Sequence, residues 1–184
     1  YRPNDRWTWR LNTQLDYTDQ GGYPYAVFDK DKQQTADINY NRECGYLRTI
    51  STTGLMAHYK GNGFTANSQT TFQHIHDNQS LDQDFTSADN FFVTNGVTQN
   101  TWNEEIVLKS DNDDRFQWVA GTNGFIQSAH QDQATSYFTR TYIQPAHYVT
   151  HTQGAAAFAQ GSYNIWRGLA ATAGLRLDYE HSKM

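Results

Sequence analysis

His74 and His76, separated by one residue and followed by Asp77, are the spacing in this chain most suggestive of chemistry. Side chains two apart on a strand point to the same side, so both imidazoles could grip one metal ion. No third ligand stands near them, and the pair is expected at the loop end of a hairpin in a surface role. His147 and His151 share parity and carry the same expectation. Asp82, Asp84 and Asp89 could offer oxygens to a hard cation. Their spacing lacks the glycine and terminal glutamate of a calcium loop, which makes them solvated loop acids. Asp111-Asn112-Asp113-Asp114 is turn chemistry. There is no GxSxG, no HExxH and no phosphate-binding glycine loop, and Cys44, the single cysteine, has no patterned histidine partner. Catalysis, a bound metal and a cofactor are therefore not expected. Cys44 also permits no internal disulfide and is expected as a tolerated loop residue.

Recognition is better represented than catalysis. Tyr23, Tyr25, Phe91, Phe92, Tyr137, Tyr142 and Tyr148 fall in long connections between strands, where rigid amphipathic rings suit ligand contact. Membrane-surface girdle positions are an equal alternative for some of them. The candidate ligand contacts are Tyr23, Tyr25, Asp82, Asp84, Phe91, Phe92 and Tyr142.

The elements that hold these residues alternate apolar and polar side chains with period two, which predicts a nearly all-β chain. Trp7 to Tyr17 places Trp9, Leu11, Leu15 and Tyr17 on one face and Arg10, Asn12, Gln14 and Asp16 on the other. Further strands are predicted at Tyr46 to Lys60, Phe64 to Asp77, Trp102 to Ser110, Arg115 to His130, Ala155 to Asn164 and Leu169 to Glu180. Short turns at Gly61-Asn62-Gly63, Asp111 to Asp114 and Ile165-Trp166-Arg167-Gly168 alternate with long loops at Thr18 to Gly45, Asn78 to Gln99 and Gln131 to Gln153. The last loop is expected to be partly extended around Tyr137 to Ile143. About seven strands of roughly 9 to 15 residues, with long and short connections in strict alternation, predict an antiparallel up-and-down meander. That is the layout of part of a transmembrane β-barrel with long extracellular loops and short periplasmic turns. Arg10, Arg176, Asp178 and Glu180 then point into the lumen, where an ion-pair ladder between strands, or to a plug, is the expected role. Period two alone leaves open whether the greasy face meets lipid or a second sheet.

Composition narrows the classes. The chain is 37% hydrophobic, 15% aromatic and 18% charged, with a net charge of −5. Its sequence pI is near 5.7 and its mean hydropathy is −0.83. Aromatic content argues against disorder, and 14 basic residues give no field for nucleic acid. No run approaches the roughly 18 apolar residues of a membrane helix. The opening Tyr1-Arg2-Pro3-Asn4-Asp5 is neither an initiator nor a leader, so a piece of a longer protein is expected.

Several stretches, taken in order, resemble the β-barrel of TonB-dependent outer-membrane receptors: Tyr46-Leu47-Arg48, Thr53-Gly54-Leu55 to Tyr59, NTWNEEIVLKSDNDDRFQWVAGTNGF at Asn100 to Phe125, and AFAQGSYNIWRGLAATAGLRLDYE at Ala157 to Glu180. The loop pieces Gly21 to Ala26 and Asp82 to Asp89 look like those of a Bacteroidetes-type subgroup. The resemblance implies a receptor in a Gram-negative outer membrane that imports a scarce nutrient, commonly an iron–siderophore complex, and in relatives haem, cobalamin or glycans. It implies a 22-stranded barrel closed by a plug and driven through it by the TonB energising complex. Residues 1–184 are expected as a partial barrel without plug or C-terminal strands. Such a piece is unable to transport alone and is open to self-association at its strand edges. A soluble secreted β-sandwich of lectin type and a passive porin remain the alternatives.

Overall fold

The computed structural model describes residues 1–23, 25–112 and 114–184. Seven long strands form one antiparallel sheet: β1 (Trp7–Gly21), β4 (Gly45–Lys60), β5 (Phe64–Asp82), β6 (Phe91–Ser110), β7 (Phe116–Tyr137), β8 (Tyr142–Trp166) and β9 (Leu169–Lys183). They lie in sequence order, β1-β4-β5-β6-β7-β8-β9, as an up-and-down meander. The two-residue strands β2 (Phe28–Asp29) and β3 (Gln34–Thr35) make a small hairpin inside the first connection.

One end of the sheet carries the tight turns. Gly63 (φ +76°) and Gly168 (φ +83°) supply the left-handed conformation that these turns need. Neighbouring turns are tied together where the Asp111 N–H donates to the Gly63 carbonyl at 3.0 Å. Of the predicted turn Asp111 to Asp114, Asp113 lies outside the described residues, as does Pro24 of the first loop.

The strands are longer than the sequence pattern predicts, at 15 to 25 residues, because they continue past the greasy segments. The expected loop Asn78 to Gln99 shrinks to residues 83–90. The expected loop Gln131 to Gln153 shrinks to a single 3-10 turn, Phe138–Arg140, closed by Thr141 at φ +50°. The first long loop, expected at Thr18 to Gly45, shortens least, to residues 22–44.

Register decides which side chains share a face, since directly paired residues point the same way. The chain of partners Arg10, Met56, Gln69, Glu105, Asn123, Ala156 and Asp178 crosses all seven strands, so Arg10 and Asp178 lie on one polar face. Arg176 and Glu180 share that face by strand parity. The opposite face carries Leu11, Leu55, Ile106, Leu108, Ile126, Leu175 and Leu177. Near the tight turns it bears a contiguous aromatic row: Trp7 on Trp9 (5.6 Å), Trp7 on Tyr59 (4.7 Å) and Tyr59 on Phe64 (6.0 Å). A second pair, Phe72 and Trp102 (6.3 Å), sits further along. Glu104 interrupts this face, and its carboxylate accepts hydrogen bonds from the Ser68 hydroxyl at 2.8 Å and from the Thr70 hydroxyl.

Nothing among the described residues covers the apolar face. Among the described residues Cys44 is the one buried apolar side chain, whereas Leu11, Leu15, Leu175 and Leu177 are 67–72% exposed. A sandwich would lay a second sheet on that face. Among the described residues the only other sheet is the two-stranded β2–β3 hairpin.

Candidate functional site

The wide connections gather at the end opposite the tight turns, and side chains from four strands brace them. Asp82, the last residue of β5, is 1% exposed. Its Oδ2 accepts the Asn41 and Arg42 N–H groups at 3.2 and 3.3 Å, and its own N–H donates to Cys44 Sγ at 3.0 Å. Asp82 is therefore buried and bonded, and no solvated loop acid. It anchors the returning end of the 22–44 loop, with Cys44 as its buried neighbour. Asp84 does the same for residues 83–90. It accepts the Thr86 hydroxyl (2.8 Å) and the N–H groups of Thr86, Asn90 and Phe91 (3.0, 3.1 and 3.3 Å). Burial pushes the Asp84 carboxyl up, but these four donors outweigh it and hold the group below the usual carboxylate range.

Arg42 joins the two loops. Its Nε and Nη2 fork onto Asp89 at 2.7 and 3.0 Å, while its guanidinium lies 3.7 Å from the centre of the Phe138 ring and 5.9 Å from that of Phe92. The hydrogen bonds from Arg42 hold the Asp89 carboxyl below its ordinary value. Phe92, proposed from sequence as a ligand contact, thus lies near the guanidinium of this clamp, and its parity puts it on the apolar side.

The remaining aromatic candidates fall into two groups. Tyr23 stacks on Tyr25 at 6.3 Å, Tyr25 meets Phe85 at 5.1 Å, and the Tyr23 hydroxyl accepts from Gln79 Nε2 at 2.9 Å. Phe91 meets Tyr137 edge-on at 5.5 Å, and Tyr137 stacks on Tyr142 at 6.1 Å. Gln79, Phe91, Tyr137 and Tyr142 share the polar face by register, so the second group rims that face. Tyr25 and Tyr142 are 56% and 54% exposed.

Below the rim, the polar face holds a pair that the sequence did not disclose. Arg48 and Asp77 are direct cross-strand partners, and two hydrogen bonds of 2.7 and 2.6 Å join them. Asp77 is 9% exposed and also accepts from the Tyr46 hydroxyl at 3.5 Å. The positions lie 29 residues apart in sequence, so only register unites them. The expected ladder between strands is corrected at β9: Arg176 forks onto Asp178 of its own strand at 2.7–3.0 Å.

His74 and His76 lie within β5 and not at a loop end, on the apolar side. His74 Nδ1 meets Asn100 Oδ1 at 2.8 Å, and His76 contacts Thr98 Oγ1 at 3.2 Å and Asn78 Nδ2 at 2.9 Å. Among the described residues no three His, Cys, Asp or Glu side chains converge on one ion position.

No protein-family model matches the chain, and no curated protein matches it by sequence. Solved structures do. The ferric yersiniabactin uptake receptor FyuA from Yersinia pestis superimposes with a TM-score of 0.80 over 98% of this chain, at 16% identity. The ferric citrate transporter FecA in its unliganded form gives 0.70 over 99%, at 15% identity. At such identities the likeness is one of fold, and the chain spans 28% of the length of each of these structures.

Proposed function

We propose that this chain, which has the barrel fold of TonB-dependent outer-membrane receptors, is a stretch of barrel wall from such a receptor in a Gram-negative outer membrane. In this reading the whole protein captures and imports a scarce nutrient, foremost a ferric siderophore complex. The observation that carries the reading is the sorting of seven strands into one polar face and one uncovered apolar face bordered by aromatics, in a fold shared with two iron-uptake proteins. On β7 the apolar face runs from Phe116 to Ile126. Ten residue steps of about 3.3 Å, tilted by about 40°, span about 25 Å, the height of a barrel's lipid band.

The apolar face then meets lipid, the polar face lines the lumen, and the braced loops stand outside the cell. Tyr23, Tyr25, Phe91 and Tyr142 offer ring faces to the incoming chelate, while Asp82, Asp84 and the Arg42–Asp89 clamp hold the loops in place for it. Arg10, Arg48, Arg176, Asp178 and Glu180 set the charge of the lumen wall. The work is binding and transport, with no bond made or broken in the cargo. β1 and β9 end the sheet, and their outer edges, apart from Trp7 and Trp9 where the N-terminal residues fold back onto β1, are left for the remaining strands of the parent barrel to satisfy. Left alone, those edges favour self-association. A plug carried elsewhere in the protein would couple release to the inner-membrane energising complex.

Antibody raised against this chain tests the first half of the reading. A band far heavier than 21.1 kDa in the outer-membrane fraction, shifting on boiling, is the expected result. A heat-insensitive soluble band would overturn it. Growth of a deletion strain on ferric siderophore, haem, cobalamin or glycan as sole source tests the cargo, with failure on ferric siderophore alone expected.

A further inference from the structure

We propose that β7 and β8 carry a divalent-metal site in which His130 and His147 are the ligands and Asp132 orients His147. Register brings the three together: Asp132 pairs directly with His147, and His130 pairs with Val149. All three side chains therefore stand on the apolar-side face, occupying three corners of one cross-strand rectangle. Its edges are about 6.6 Å along the strand and about 5 Å across it.

Distances within the cluster suit an ion between the rings. The His130 and His147 ring centres lie 6.5 Å apart. A metal about 2.1 Å from each ligating nitrogen sits about 3.2 Å from each ring centre, so two imidazoles sharing one ion have centres about 6.5 Å apart when they stand trans and about 5 Å apart at a tetrahedral angle, which these exposed rings reach by closing about 1 Å. His147 Nδ1 lies 2.6 Å from Asp132 Oδ1. A carboxylate accepts only, so Nδ1 carries the proton and Nε2 keeps its lone pair for a metal, the carboxylate–histidine arrangement that fixes metal-binding imidazoles. Both side chains are open to solvent, at 59% and 77% exposure, which leaves an entry path.

Two imidazole ligands select borderline divalent ions such as Zn²⁺, Ni²⁺ and Cu²⁺ over Mg²⁺ and Ca²⁺. The other coordination positions fall to water or to an anionic oxygen. His151 flanks His130 on the other side, also at 6.5 Å but with the ring planes at 90°. It stands four residues from His147, about 13 Å along the strand, too far to complete the same site. The inference rests on register and distance, and stands whether or not the apolar face meets lipid.

Zn²⁺ titration of the parent protein in detergent, purified without a polyhistidine tag, tests the site. Cu²⁺ paramagnetic resonance on the same samples counts coordinated imidazoles. Expected are one Zn²⁺ equivalent and a two-nitrogen Cu²⁺ spectrum. His130→Asn and His147→Asn should each weaken binding about tenfold or more, and Asp132→Asn by about 10- to 100-fold. His151→Asn and His74→Asn should leave binding unchanged. Each variant's gel shift on boiling reports whether it is folded. Binding that survives in folded His130→Asn/His147→Asn, or no Zn²⁺ binding up to millimolar concentration, would overturn the site.

Discussion

Two alanines three residues apart on β8 make the sharpest test of the face assignment. Ala159 pairs with Ala120 and Leu175 on the apolar face, midway along its apolar run from Ala155 to Tyr163. Ala156 pairs with Asn123 and Asp178 on the polar face. Arginine at 159 would stand at the level of the bilayer core, where such a residue costs about 2–4 kcal/mol. At about 1.4 kcal/mol per tenfold, that lowers the folding equilibrium by about 30- to 700-fold. Arginine at 156 meets water and the Asp178 carboxylate, so the change should stay within about 1 kcal/mol. The assay is a denaturant titration of the parent barrel refolded into phosphatidylcholine vesicles, followed by tryptophan emission. Ala159→Leu serves as the volume control and should be neutral or stabilising. Equal losses for Ala159→Arg and Ala156→Arg, or a larger loss at 156, would refute the assignment of faces.

Arg48→Ala leaves the Asp77 carboxylate nearly buried without its fork. It should cost about 1–3 kcal/mol in the same titration, toward the lower end because the Arg48 side chain is 41% exposed. Asp77→Ala/Arg48→Ala should lose less than Arg48→Ala, and the reverse order would contradict the pair. The Asp84 and Asp89 carboxyls are held below their ordinary values, so the unfolded loop binds protons first. Loop order should be constant above about pH 4 and decline as pH falls through the depressed values, which pepsin nicking of residues 22–44 and 83–90 between pH 4 and 2 would follow. Loosening already at pH 6 would show that other groups hold the loops. Tyr142→Ala in the parent receptor should weaken ferric siderophore capture about tenfold, whereas Phe92→Ala, on the opposite face, should leave equilibrium affinity within about twofold. Equal effects would show that the ligand does not distinguish the faces.

The meander was legible wherever the two faces meet different surroundings. Leu11, Leu15 and Tyr17 against Arg10, Asn12 and Gln14 give a period-two signal, and so do Leu175 and Leu177 against Arg176 and Asp178. The strand halves near the loops were not legible, since both of their faces are polar and alternation has no hydropathy to act on. Thr94, Thr98 and Asn100 face one way and Asn95, Gln99 and Thr101 the other, so β6 read as loop until Trp102. The same blindness turned Gln131 to Gln153 into a loop where β7 and β8 in fact pair continuously up to Tyr137 and Tyr142. The placement of Tyr23, Tyr25, Phe91 and Tyr142 at the loop end was legible because aromatics in wet connections stand out by type alone. Phe92 differs from them because parity, not type, sends it to the other face. Asp84 had a local signal, its side chain two residues before Thr86, the spacing of an Asx turn. Asp82, Arg48–Asp77 and the Asp132–His147 contact had none. Each depends on partners 15 to 41 residues away, and a shift of one residue in register would send those side chains to opposite faces.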